Sequence, residues 1–213
     1  MSNTVLFLTL IFAAVSYLIG SINTGILVSE LIYKDDVRNH GSGNAGATNV
    51  LRTYGKKAAL ITVLGDALKG VVAVVLAMLI CPVFNVDAHF IRVIMYVSAL
   101  CAVLGHNYPL YFRFKGGKGV LTSVTVIIML DPVIGLIALV VSISIMAISK
   151  YVSLGSVTGA LIVIILSVIL RRNDIWFIVL CFVLGLLLIL RHTSNIKRLI
   201  KGEESKLGEK KKG

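Results

Sequence analysis

Three segments of this 213-residue chain concentrate the side chains and bare amides that chemistry needs. The first runs from His40 to Arg52: His-Gly-Ser-Gly-Asn-Ala-Gly-Ala-Thr-Asn-Val-Leu-Arg. Gly41, Gly43 and Gly46 let a backbone approach a ligand closely and present N–H donors. Ser42, Asn44, Thr48 and Asn49 add side-chain donors, and Arg52 adds a planar fork suited to phosphate oxygens. A helix starting at Asn44 would place this loop at a helix N-terminus, where exposed N–H groups favour an anion. A flexible turn is the plainer reading of any single Gly-x-Gly. The density of Gly, Asn, Thr and Arg here argues for anion binding.

The second segment, Gly105 to Gly119, carries His106, Arg113, Lys115, Gly116, Gly117 and Lys118. Lys-Gly-Gly-Lys-Gly directly ahead of an apolar run again offers amides, with two ammonium groups. It is not the Gly-x-x-x-x-Gly-Lys-Ser/Thr phosphate loop, because Gly119 and Val120 come after Lys118. Tyr108, Tyr111, Phe112 and Phe114 fit an aromatic belt at a membrane interface. The third segment is Arg191-His-Thr-Ser-Asn195, followed by Lys197, Arg198, Gly202 and Glu203. His192 and Asn195 share a face if the helix continues through them, and such a pair can hold and polarise a hydroxyl. An ordinary helix end with charges reaching to headgroups is the competing reading. Ser153 and Ser156 are two further donors.

The elements that must position these segments are apolar. Hydrophobic residues make up 57% of the chain and charged residues 15%, with a mean hydropathy of +0.95. Soluble domains run nearer to about 45–50% apolar and about 25% charged. An ordinary water-soluble enzyme, a disordered chain and a disulfide scaffold are therefore excluded. Apolar runs cover about 4–32, 57–80, 91–105, 119–130, 132–149, 156–170 and 175–190. About 20 residues cross the ~30 Å hydrocarbon core, so the fold expected is all-α, with about seven transmembrane helices in one bundle and five or six as the alternative counts. The runs at 91–105, 119–130 and 156–170 are short, which implies tilt, extension into the loops or a thinned bilayer. Asp131-Pro132 reads as a tight turn, with Pro132 in the first turn of a new helix.

Charge sets the orientation. With the N-terminus outside and the C-terminus cytoplasmic, seventeen of the 21 Lys and Arg fall on the cytoplasmic side. Only Arg92, Arg171 and Arg172 fall opposite, and Lys69 lies inside a run. All three polar segments then meet one face of the bilayer. The net charge of +11 does not imply nucleic acid, because the basic residues are scattered between membrane runs. Lys210-Lys211-Lys212 fits either a solvated end or contact with anionic lipid headgroups. Residues 1–204 read as one transmembrane domain and 205–213 as a basic cytoplasmic tail.

Inside the runs, Asp66 and Lys69 are expected to form an ion pair that stabilises the helices, and Ser21 and Asn23 to bond to neighbouring helices. Cys81, Cys101 and Cys181 read as small hydrophobes. No Cys-x-x-Cys, His-Glu-x-x-His or carboxylate cluster suggests a metal, and no cofactor motif is present. The residues five on from the histidines are Ala45, Ile94, Tyr111 and Lys197, so no His-x4-Asp pairing exists. No Gly-x-Ser-x-Gly elbow occurs either. A transporter of phosphorylated metabolites would also gather Arg and Lys, but it should show repeats or polar sites at the midplane. A non-catalytic membrane assembly factor is a further alternative. No motif assigns an oligomeric state.

Taken in order, GSGNAGATNVLR at 41–52, GHNYPLYFRFKGGKGV at 105–120 and RHTSNIKRLIKGEE at 191–204 resemble the PlsY family. These are bacterial inner-membrane acyl-phosphate:glycerol-3-phosphate acyltransferases. GSINTG at 20–25, GDALKG at 65–70 and SLGS at 153–156 extend the resemblance over nearly the whole chain. Asn23 stands where many relatives carry proline, a departure that touches only a local bend.

The resemblance implies acyl transfer from acyl phosphate to the sn-1 hydroxyl of glycerol 3-phosphate, giving lysophosphatidic acid and phosphate. It implies a cytoplasm-facing site lined by Ser42, Arg52, Lys118 with its glycines, His192 and Asn195. Arg52 and Lys118 would neutralise phosphate groups. His192 and Asn195 would orient the hydroxyl, with Ser42 and Ser153 or Ser156 as added donors. The hydroxyl proton would go to a phosphate oxygen of the donor, or else to His106 or His192.

Overall fold

A computed structural model describes residues 2–209; Lys210, Lys211 and Lys212 lie outside the described residues. Ten α-helices are present among those described: α1 Asn3–Ser21, α2 Thr24–Tyr33, α3 Ala47–Tyr54, α4 Lys56–Ile80 and α5 Ala88–Asn107; then α6 Val120–Leu130, α7 Pro132–Ser149, α8 Val152–Leu170, α9 Ile175–Arg191 and α10 Thr193–Ile200. No strand occurs among the described residues. The chain divides into two compact units, Met1–Leu130 and Asp131–Gly213.

By length and composition five stretches can cross a membrane: Asn3–Tyr33, Lys56–Phe84, Ala88–Phe112, Pro132–Ser149 and Val152–Leu170. A sixth is available if α9 and α10, bent by 59°, count as one span. Of the three runs expected to be short, two lengthen. The run at 91–105 becomes α5 and its following turn, and the run at 156–170 becomes the 19-residue α8. The third, α6, stays at 11 residues, short of the about 20 that cross a hydrocarbon core of ordinary thickness.

In the first unit polar side chains are buried among small and apolar ones, and the outward faces are apolar. Along α4, Leu60, Leu64 and Leu68 recur every four residues and are exposed, whereas Thr62, Asp66 and Lys69 face inward and are buried. That inversion suits a hydrocarbon surround. Helices α1 and α5 touch through small residues. A Cβ at Gly105 would collide with the Tyr17 carbonyl, and one at Gly20 with the Ala102 carbonyl.

The first apolar run is not one helix. It breaks at Ile22–Asn23, and Asn23 caps α2 by accepting from the Ile26 N–H at 3.3 Å. Asn23 therefore bonds within its own segment, not to a neighbouring helix as expected. Ser21 does reach across, its Oγ accepting from the Leu110 N–H at 3.2 Å.

In the second unit, Asp131 caps α7 by accepting from the Ile134 N–H at 3.1 Å, and Pro132 occupies the first turn as its sequence position implies. Arg171 at the far end of α8 donates to the other oxygen of Asp131, joining the start of α7 to the end of α8. Lys150, in the left-handed region at φ 65°, turns the chain from α7 into α8.

Candidate functional site

The residues expected to do chemistry fall in both units. In the first unit, the segment leaving α2 turns at Lys34 and forms a short 3₁₀ turn, Val37–Asn39, capped by Asp36. Arg38 forks onto Asp36: Nε lies 2.9 Å from Oδ1, and Nη2 lies 2.7 Å from Oδ2. Its remaining nitrogen, Nη1, donates to the Phe112 carbonyl at 3.3 Å and the Lys115 carbonyl at 3.0 Å. One guanidinium thus ties the first glycine loop to the second. The turn it holds is strained, because Arg113 at φ 54° and Phe114 at φ 58° both occupy the left-handed region without being glycine. Arg38 holds Asp36 below the ordinary carboxylate range, outweighing the rise from burial.

The 40–46 loop is built around a buried asparagine. Asn49 accepts from the Ser42 N–H at 2.9 Å and donates to the carbonyls of Val37 and His40 at 2.9 and 3.0 Å. Expected to be a ligand donor, Asn49 is spent on the loop's own shape. The Asn44 Oδ1 is used likewise, accepting from the Gly46 N–H at 2.9 Å. Gly41, at φ 57°, leaves no room for a Cβ against Asn49. Gly43 lies at φ 71°. The helix that follows starts at Ala47, not at Asn44, and is the separate α3, which ends at Gly55 before α4. Ser42 and Arg52 are exposed, and Thr48 is half-buried.

Although no His-x4-Asp pairing exists, the fold makes a histidine–carboxylate pair of its own. The turns at Lys34 and Val37–Asn39 bring the chain back, placing His40 Nε2 2.6 Å from Asp35 Oδ2. Tyr54 donates to the same oxygen at 2.9 Å and stacks on Tyr33 with ring centroids 4.3 Å apart. Burial together with that bond pushes the Tyr54 phenol up to about 12, and the same bond, first among several causes, lowers Asp35.

In the second loop, Gly116 and Gly117 are buried against His106, and Lys118 is half-buried. The Gly117 N–H donates to the His106 carbonyl at 3.1 Å, and a Cβ at Gly117 would strike the His106 ring. Asn107 is fully buried, with both carboxamide atoms lacking a hydrogen-bond partner. Lys115 is exposed at its side chain and held at its carbonyl by Arg38. Behind His106 lies the expected ion pair, with Lys69 Nζ 2.9 Å from Asp66 Oδ1. The structure adds His106 to that pair.

In the second unit the helix does not continue through His192. His192 ends α9 and caps α10 across the 59° bend, so it and Asn195 are not on one uninterrupted helix face. Nδ1 of His192 lies 2.8 Å from the Leu188 carbonyl, which can only accept. Nδ1 therefore carries a proton, and in the neutral ring Nε2 is the acceptor nitrogen.

Glu204 is the organiser of this unit's polar end. Its Oε1 accepts from Asn195 Nδ2 at 2.6 Å and from Ser153 Oγ at 2.8 Å, and its Oε2 accepts from Arg198 Nε at 2.7 Å. Burial alone would raise this carboxyl, but the donors from Asn195, Arg198 and Ser153 together bring it below its ordinary value. Ser156 is not part of the group; its Oγ donates to the Val152 carbonyl in its own helix at 2.9 Å. The segment after Glu204 folds back, and the Leu207 N–H donates to the Lys150 carbonyl at 2.8 Å.

The sequence did not single out Arg38 or Glu204 as site builders. The signal for Arg38 was the Asp36-x-Arg38 spacing just ahead of the glycine loop. The signal for Glu204 was a carboxylate among so few, two residues beyond Gly202 at φ 71°. Altogether the first unit offers paired amide-rich loops with Arg and Lys. The second offers a histidine acceptor nitrogen and a carboxylate-braced Asn and Ser. Side chains of these types are suited to phosphate oxygens and to a hydroxyl.

Residues 10–202 match the family model described as glycerol-3-phosphate acyltransferase. A glycerol-3-phosphate acyltransferase of Thermoanaerobacter pseudethanolicus is 43% identical over 198 residues, covering 93% of this chain and 95% of the relative. The one from Clostridioides difficile is 44% identical over 206 residues, covering 97% and 98%. The crystal structure of PlsY (YgiH), an integral membrane glycerol 3-phosphate acyltransferase, in its glycerol 3-phosphate form superposes with a TM-score of 0.84 at 36% identity, covering 94% of this chain and 96% of that one. Its lysophosphatidic acid form gives 0.79 at 36% identity, covering 97% and 96%. The chain belongs to the glycerol-3-phosphate acyltransferase family.

Proposed function

We propose that this protein moves a fatty acyl group from acyl phosphate to the sn-1 hydroxyl of glycerol 3-phosphate, releasing lysophosphatidic acid and phosphate. The observation that carries the proposal is the Arg38 bridge, which docks the loop of Ser42 onto the loop of Lys115 and Lys118. Two cationic, amide-rich loops held together suit reactants that both carry phosphate. The relatives support the acceptor, since PlsY was crystallised in glycerol 3-phosphate and lysophosphatidic acid forms.

In the reaction the acceptor hydroxyl oxygen attacks the acyl carbonyl carbon. The bond from that carbon to the phosphate oxygen breaks, and the hydroxyl proton passes to the departing phosphate. Phosphate is a good leaving group in a mixed anhydride, so activation can be modest. The atoms balance without a cofactor. With the N–H groups of Gly43, Gly46 and Gly117 already bonded within their loops, Arg52 and Lys118 neutralise the phosphates. Oriented donors of this kind are worth about 2.7–4 kcal/mol each at a developing oxyanion. His192, through Nε2, and Asn195 orient the hydroxyl, with Ser42 and Ser153 as further donors.

The protein would lie in the bacterial inner membrane as one catalytic domain over 1–204 with a basic tail. Its N-terminus would be outside and its chemistry on the cytoplasmic side, which the bias of seventeen Lys and Arg against three supports. Seven crossings would include α6 as a short span in a locally thinned bilayer.

The test is purified protein in detergent given glycerol 3-phosphate with either acyl phosphate or acyl-CoA. Lysophosphatidate from acyl phosphate and none from acyl-CoA is expected. The reverse pattern would overturn the donor assignment.

A further inference from the structure

Asp66 and Lys69 lie one turn apart on α4 with side chains only 3% and 4% exposed. Charges held in a membrane interior are costly and are retained with a partner or a task. Lys69 Nζ makes three close contacts: Asp66 Oδ1 at 2.9 Å, the Ile22 carbonyl at 3.0 Å and His106 Nδ1 at 2.8 Å. The Ile22 carbonyl belongs to the break between α1 and α2, where a helix end leaves acceptors to be satisfied. An ammonium has three protons and no lone pair. With no lone pair on the ammonium, the His106 nitrogen facing it must accept.

We infer that Lys69 is a positioning residue that fixes His106 as the Nε2–H tautomer and makes it a donor aimed at the Gly116–Lys118 loop. A proton on Nδ1 would point at another donor 2.8 Å away, so the proton of the neutral ring sits on Nε2. That end of the ring faces Gly117. A Cβ there would lie 2.8 Å from His106 Cε1 and 3.0 Å from Cδ2, so only a bare glycine backbone lets the ring sit against the loop. The Gly117 N–H is already bonded to the His106 carbonyl, so one residue holds the loop through both its backbone and its ring.

Two consequences follow for the chemistry. His106 does not take the hydroxyl proton, because its only acceptor nitrogen is occupied by Lys69. His192 is its opposite, with the proton on Nδ1 and Nε2 as acceptor. The Asp66–Lys69 pair then does more than brace helices: it sets the direction of a hydrogen bond at the phosphate loop. Both consequences rest on the acyl-transfer reading above. The tautomer does not.

The experiment is ¹⁵N NMR of the purified, histidine-labelled protein in detergent, with the His106 signals assigned from a His106→Gln variant. Wild type should show His106 with a bare Nδ1 and a protonated Nε2. In Lys69→Met the ring loses its donor and Asp66 Oδ1, 3.6 Å from Nδ1, remains; the proton should move to Nδ1. A wild-type ring protonated on Nδ1, or a Lys69→Met ring unchanged, would overturn the inference whatever reaction the protein performs.

Kinetics supply the second arm and do not depend on Lys69→Met folding. A Gln at 106 can both accept from Lys69 and donate to the loop, whereas Leu can do neither. His106→Leu should raise the KM of a phosphate-bearing substrate about tenfold or more, the weight of a charged hydrogen bond, and His106→Gln should restore most of it. Measuring both substrates shows which phosphate the loop serves. Equal loss of kcat in His106→Leu and His106→Gln with both KM values unmoved would make His106 the base and end the inference.

Discussion

Arg38 Nη1 donates to the Lys115 carbonyl at 3.0 Å across 77 positions of sequence. The bond joins the two loops that carry Ser42 and Lys118, and it uses a guanidinium already forked onto Asp36. A lysine could make the ion pair but not the fork and the bridge together. Arg38→Lys should therefore lower kcat/KM by about tenfold to a hundredfold, the range for losing charge-assisted hydrogen bonds, while the protein remains folded. Steady-state assays alongside thermal unfolding check this. Unchanged kcat/KM would show that the bridge has no part in function.

Removing the cations should act on the phosphates directly. Lys118→Ala and Arg52→Ala should each cost at least about a hundredfold in kcat/KM, consistent with the loss of one oriented donor to developing charge. If turnover and both apparent substrate affinities stay untouched, the phosphate-holding role is wrong.

Gly117 tests the geometry of the second loop. A single methyl there would collide with the His106 ring, so Gly117→Ala must push the loop or the ring aside. Overpacking of this kind costs about 1–3 kcal/mol of stability, yet the displaced loop should abolish most activity. Activity near wild type in a stable Gly117→Ala protein would contradict the placement of that loop.

Glu204 gives a pH signature. Its folded-state pKa lies below its ordinary 4.5, so its contribution to stability is complete above that value and is lost as pH falls through the lower folded value. The unfolding temperature of wild type should exceed that of Glu204→Gln at neutral pH, and the gap should close in acid as pH falls through that lowered value. The variant should also lose activity, because Asn195 and Ser153 share the Oε1 atom it alters. A gap independent of pH would show that the carboxylate charge is not what braces them.

The proton's destination is open to a pH–rate profile. With phosphate of the donor as acceptor, His192→Ala should lose turnover but keep the shape of the wild-type profile. Loss of one limb with binding intact would instead assign the proton to His192, whose Nε2 is an acceptor.

Local signals in the sequence were readable and distant ones were not. The run at 132–149 coincides with α7 because Asp131 and Pro132 mark its start within two residues. Asp66 and Lys69 pair as expected because one helical turn separates them. The break at His192 carries no Pro or Gly to announce it, and the break at Ile22–Asn23 shows only a capping asparagine inside an apolar run. Glu204 and Arg38 act on residues 51 and 77 positions away, and no periodicity reports such contacts. Asn49 illustrates the opposite error: residue type suggested a ligand donor, while burial turned it into loop scaffolding.

The central claim is that an acyl phosphate supplies the acyl group. Its most direct measure is the ratio of phosphate released to lysophosphatidate formed by purified protein with acyl phosphate as sole donor. One phosphate for each 1-acyl product, and none without glycerol 3-phosphate, is the outcome this account predicts. Phosphate release uncoupled from product, or glycerol 3-phosphate uptake into liposomes with no acylated product, would contradict it.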